Sequence, residues 1–76
     1  MLTFEWDKDS ERLEIHADSD GLQELVDQVN KLKSVEGNEH LHLMTEDWGG
    51  DELSNDKQNE ESELINHVKI FKWIDK

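Results

Sequence analysis

The sequence contains no cysteine. That excludes disulfides, thiolate-ligated metal centres and cysteine nucleophiles together. Basic side chains are also scarce: 8 Lys+Arg stand against 20 Asp+Glu, for a net charge of −12. Such a balance repels phosphates, so nucleic acid is excluded as a nonspecific partner. It favours a basic protein or bound cations instead. No apolar run approaches the roughly 20 residues of a membrane span, so no membrane partner is expected. The stretch Met1-Leu2-Thr3-Phe4-Glu5 has no basic n-region and no apolar h-region. No signal peptide is read there, and a cytoplasmic location is expected.

The chain is short as well. Its 76 residues point to one domain spanning 1–76, and a chain of that size buries roughly 60% of the surface it exposes when unfolded. There is room for one small core. Hydrophobic residues make up 33% and charged residues 37%, proportions that lean toward disorder. The apolar residues are patterned, however, and three Trp and two Phe argue for folding.

Leu2, Phe4 and Trp6 alternate with Thr3 and Glu5, the period of a half-buried strand. Asp7-Lys8-Asp9-Ser10 is a turn cluster. Leu13, Ile15 and Ala17 alternate with Glu14 and His16, which makes the second strand of a hairpin. Asp18 or Ser19 then caps a helix, with Asp20 at its positive end. Leu22, Leu25, Val26, Val29 and Leu32 form one apolar stripe expected to face the core. Lys31 and Lys33 lie in the last turn, and Gly37-Asn38 ends the segment. His40 to Met44 reads as a third strand with Leu41 and Leu43 on one face. Residues 64–74 read as a fourth. Apolar side chains of both parities in 68–74 place that strand centrally, or covered on both faces. The fold class is α+β in the order β-β-α-β-β, one helix on a four-stranded, mostly antiparallel sheet. Between the last two strands runs a long acidic loop at about 45–63. Residues 36–63 carry ten acids and one Lys, and hold −9 of the charge. The run 55–62, with no large apolar side chain, is expected to be the most mobile internal segment.

His40 and His42 sit two apart on a strand and project from one face. That spacing suits two ligands of a divalent metal, with Glu39 or Asp47 to complete the set; it equally suits polar residues on the outer face of a sheet. His16 and His67 are distant in sequence and are not assigned to this pair. The carboxylates Glu46, Asp47, Asp51, Glu52 and Asp56 miss the EF-hand pattern. No Gly-rich phosphate loop follows a strand, and no nucleophile elbow is present. The chain therefore reads as no enzyme, with no cofactor. Trp48-Gly49-Gly50 is either a plug folded onto the core or an exposed anchor, since Trp is over-represented among interface hot spots.

His40-Leu41-His42-Leu43, Trp48-Gly49-Gly50, Glu52-Leu53-Ser54 and Leu64-Ile65-Asn66-His67-Val68-Lys69-Ile70 together resemble immunity-protein family thirty-two of bacterial polymorphic toxin systems. The hairpin and the helix opening Asp20-Gly21-Leu22 fit as well, and the similarity spans about residues 13–74. The resemblance implies a small α+β protein that binds a cognate toxin and neutralises it. It supplies no catalytic residues. A basic nuclease would suit the acidity, with carboxylates lying along its phosphate track and an aromatic anchor in a pocket. The residues expected to face such a partner are Glu46, Asp47, Trp48, Asp51 and Glu52. Phe71, Trp73, His40 and His42 are left on the sheet face away from the helix, to be covered by the acidic loop or by a second copy in a weak homodimer. The alternative function is a small metal-binding or regulatory domain using His40 and His42.

Overall fold

A computed structural model describes residues 1–75. Strands β1 (Leu2–Asp7) and β2 (Arg12–Ala17) pair antiparallel, with Phe4 opposite Ile15 and Trp6 opposite Leu13. Their turn is shaped by Asp7, whose carboxylate accepts from the Asp9 and Ser10 amides at 3.1 and 3.4 Å, an Asx-type turn. Helix α1 (Ser19–Ser34) follows, capped by Asp18, which accepts from the Gly21 amide at 2.8 Å. Strand β3 (Glu39–Met44), a single 3-10 turn (Glu46–Trp48), the short β4 (Glu63–Leu64) and β5 (His67–Lys72) complete the order. The class is α+β, as the periodicities predict.

The strands form two sheets rather than one. β1 lies at the centre of a three-stranded sheet, β2-β1-β4, and β3 pairs with β5 alone in a second. The expected strand 64–74 breaks at Ile65-Asn66, where the chain passes from one sheet to the other. On one side of the break the Ile65 amide donates to the Phe4 carbonyl at 2.9 Å; on the other the Thr45 amide donates to the Asn66 carbonyl at 3.0 Å. β5 is consequently an edge strand with alternating exposure, not a central one. Leu2, Phe4, Leu43 and Leu53 form the core where the two sheets meet, and Ala17, Leu25, Leu41, Ile65, Val68 and Ile70 pack around it.

The helix stripe is rotated from its expected aspect. Leu32 is buried and Leu25 partly so, whereas Leu22, Val26 and Val29 remain largely exposed. The inward line instead begins at Gly21, where a Cβ would lie 1.8 Å from the Met1 carbonyl oxygen. Only a glycine lets the first helical turn and the start of β1 approach so closely, and that approach sets the helix rotation. At the other end, Lys72 of β5 donates to the Lys33 and Val35 carbonyls, satisfying orphan acceptors of the last turn.

β1 is buried on both faces. Thr3 and Glu5 have no solvent exposure, although alternation predicts that they face water. Part of the cover is the polar run 55–62, three of whose residues donate to Glu5. The Glu5 carboxylate accepts from Thr3 Oγ1 (2.5 Å), Ser62 Oγ (2.7 Å), the Asn59 amide (2.9 Å) and the Gln58 amide (3.0 Å). Low hydrophobicity predicts mobility for this run, and the buried Glu5 carboxylate gives it three anchor points that apolar side chains do not supply.

Candidate functional site

The segment after β3 is built on Thr45, which is fully buried and bridges Leu53 in parallel. Its carbonyl accepts from the Trp48 and Gly50 amides, both at 3.0 Å. Gly49 closes the 3-10 turn at φ 89°, a left-handed conformation that favours glycine. Gly50 passes so close to β3 that a Cβ would sit 2.3 Å from the Met44 carbonyl oxygen. The two glycines thus serve the turn geometry. The plug is Leu53, 1% exposed, while Trp48 is 59% exposed. Of the two readings open for Trp48, the structure leaves the exposed one.

The five residues expected to face a partner divide into two groups. Glu46, Asp51 and Glu52 line an open cleft of about 490 Å3, whose opposite wall brings Asp20 and Glu24 from the first turns of α1. Asp47 and Trp48 lie outside that lining. The Asp47 amide donates to Asn55 Oδ1 at 3.1 Å, and the Trp48 ring lies beside His67, centroids 6.4 Å apart. Asp20 and Glu24 escape a sequence reading because Asp20 is assigned there to the positive end of the helix and Glu24 has no signal of its own. No local spacing signals that the loop after β3 will return to them.

Glu52 has a second role. Its carboxylate accepts from the Met44 amide at 3.2 Å and the Asp51 amide at 3.3 Å. Burial raises its pKa, but these backbone donors outweigh burial and hold it below the usual carboxylate value. Glu52 therefore ties the loop to the end of β3 and is less free than Glu46 or Asp51 to meet a partner. In Glu5, burial likewise raises the pKa, and the donors from Thr3, Gln58, Ser62 and Asn59 bring it down to about 2. With both oxygens occupied by internal donors, Glu5 is a structural carboxylate and not a general base.

His40 and His42 project from one face of β3, as the spacing predicts. His67 joins them, contrary to the sequence reading. The register sets Met44 opposite His67 and Lys69 opposite His42, so His67 reaches His42 diagonally, Nδ1 to Nε2 at 2.7 Å. Desolvation, followed by the positive charges of His40, His67 and Lys69, pulls the His42 pKa below the usual histidine value. His40 lies apart, with Nδ1 3.8 Å from Glu39. His16 is bound elsewhere, to Glu14 at 2.9 Å. Among the described residues no group of three or more His, Asp or Glu is placed to hold a metal ion, so neither Glu39 nor Asp47 completes the candidate set. No helix of the described chain is long and apolar enough to cross a membrane.

The acidic cleft and the exposed Trp48 ring are the surface features of this segment. No curated protein and no solved structure matches the chain. Its sequence does match a protein family, Immunity protein 32, over residues 12–68. That span runs from β2 through the cleft-forming loop into β5, and the chain belongs to the Immunity protein 32 family.

Proposed function

We propose that this protein neutralises a cognate toxin by binding it and covering its active or substrate-binding surface, without catalysis. The observation that carries the proposal is the convergence of Asp20, Glu24, Glu46, Asp51 and Glu52 on one open cleft, in a chain of net charge −12. The partner that fits is a basic protein, and a nuclease whose substrate track is positive is the leading class. Such a pair would meet in the cytoplasm, where a nuclease finds its substrate. Complementary charge accelerates encounter by orders of magnitude at low salt. Trp48, beside the cleft, is the anchor on this reading.

The test is binding kinetics against the toxin encoded beside the chain, at two salt concentrations. Raising salt should slow association, because exposed charges are screened beyond about 8 Å at physiological ionic strength. Asp20→Asn with Glu46→Gln and Asp51→Asn should mainly lower the association rate. Trp48→Ala should instead speed dissociation, by about 2 kcal/mol or more for a hot-spot anchor. Unchanged kinetics in both variants would remove the cleft and Trp48 from the interface.

A further inference from the structure

The outer face of the β3–β5 sheet carries a feature that the acidic cleft does not explain. Six exposed rings follow one another across it. Trp48 lies beside His67, His67 stacks on His42 at 5.0 Å, and His42 meets His40 edge-on at 5.0 Å. His40 meets Phe71 at 5.5 Å, and Phe71 stacks on Trp73 at 6.1 Å with planes 14° apart. The register produces the row. His40 faces Phe71 and His42 faces Lys69, while Leu41, Leu43, Val68 and Ile70 turn to the core. A contiguous exposed aromatic surface marks an interaction site more often than a merely solvated face.

Charge says what covers it. Aromatic faces are electron-rich and attract cations. Carboxylates rim the row: Glu39 beside His40, and Asp47 next to Trp48 in the 3-10 turn. One ring already has such a contact, since Lys69 Nζ lies 5.0 Å from the Phe71 centroid. Single-stranded nucleic acid also stacks on aromatic platforms, but the net charge of −12 opposes it. A second copy would bring the same net charge against itself.

We propose that this ring row docks an arginine- or lysine-bearing segment of the toxin, whose cationic groups lie on the rings and pair with the rim carboxylates. The proposal rests on the toxin-neutralising reading and extends its interface from Trp48 along the whole β3–β5 face. It also makes binding pH-dependent. The charged groups beside the histidines are Glu39 from β3 and Lys69 from β5. Protonating His42 adds positive charge next to Lys69 and repels a cationic segment. Binding therefore weakens as pH falls through the His42 transition, which lies below the usual histidine value.

The experiment uses two probes on the intact chain. The first is hexa-arginine, titrated into 15N-labelled protein at about pH 7.5 and at about pH 5, because the His42 pKa lies below the usual histidine value of about 6.5. Shifts are expected at the Trp48 and Trp73 indoles and along β3 and β5. A roughly tenfold loss of affinity is expected in Phe71→Ala/Trp73→Ala, with a further loss on acidification of the wild type. Both side chains are exposed, and an unchanged circular dichroism spectrum verifies the fold. Shifts confined to Asp20, Glu24, Glu46 and Asp51, tighter binding of an oligothymidylate, or dimerisation through the row would each overturn the proposal. The second probe is the neighbouring toxin. If wild type fails to bind it, the neutralising reading falls, and with it the toxin as occupant; hexa-arginine still decides the row's cation chemistry. If wild type binds but Phe71→Ala/Trp73→Ala binds equally well, the row alone is refuted.

Discussion

A carboxylate with no solvent exposure survives at position 5 because donors from Thr3, Gln58, Asn59 and Ser62 surround it. A buried acceptor so fully paired is stabilising, and its loss strands donors without water. Glu5→Gln, which exchanges one acceptor oxygen for a donor nitrogen, should cost about 1–3 kcal/mol in urea unfolding. The pH dependence has a definite sign. A folded pKa of about 2 lies below the unfolded value of about 4.3. The stabilisation is thus fully present above the unfolded pKa and is lost as pH falls from about 4.3 toward about 2. In Glu5→Gln that portion of the acid limb should flatten; an acid limb identical to wild type would show that another carboxylate governs it. Gly21→Ala tests the other tight position. The added Cβ meets the Met1 carbonyl, backbone that cannot swing aside, and overpacking of this kind costs about 1–3 kcal/mol.

At the scale of the elements, the helix stripe divides into a half that packs and a half that does not. Leu32 is 7% exposed and Val29 is 40% exposed. Leu32→Ala should therefore cost about 2–5 kcal/mol, while Val29→Ala should stay under about 1 kcal/mol. Equal shifts of the urea midpoint would place the rotation of α1 in error. The stripe itself was legible from periodicity, but its rotation was not. The close approach at Gly21 and the Lys72 contacts at the last turn are set by distant parts of the chain. The strands were legible for the same local reason: period-2 alternation in 2–6, 13–17 and 40–44. Their division into two sheets depends on the crossing at Ile65-Asn66, where nothing in composition marks a break. Apolar residues of both parities in 68–74 signal burial on both faces in a central strand. Here one set fills the core and the other builds the outer ring row. The candidate site was half legible. The acidic run and Trp48 stand out in one dimension, whereas Asp20, Glu24 and His67 join only through folding.

Across the whole molecule, the segment 55–62 changes character once its contacts are counted as part of the fold. The Gln58 and Asn59 amides should exchange slowly with solvent, since both donate to a buried carboxylate, and Asp56 and Lys57 beside them should exchange fast. In Glu5→Gln the two protected amides should approach the rate of their neighbours. Rapid exchange at Gln58 and Asn59 in the wild type would return the segment to the mobile class.

That arrangement has a consequence for the order of events in folding. β1 holds residues 2–7, yet the groups that close its back face lie more than fifty positions later, at Gln58, Asn59 and Ser62. Contacts so distant must meet a large loop-closure entropy before they contribute. As the chain emerges in synthesis, β1 and β2 can pair at once, but Glu5 stays hydrated until residues 58–62 arrive. The central strand is then among the first elements to form and the last to be sealed. A chain ending at Ser54 should show no cooperative unfolding transition, because it keeps the hairpin and the helix but loses β4, β5 and three of the four donors to Glu5.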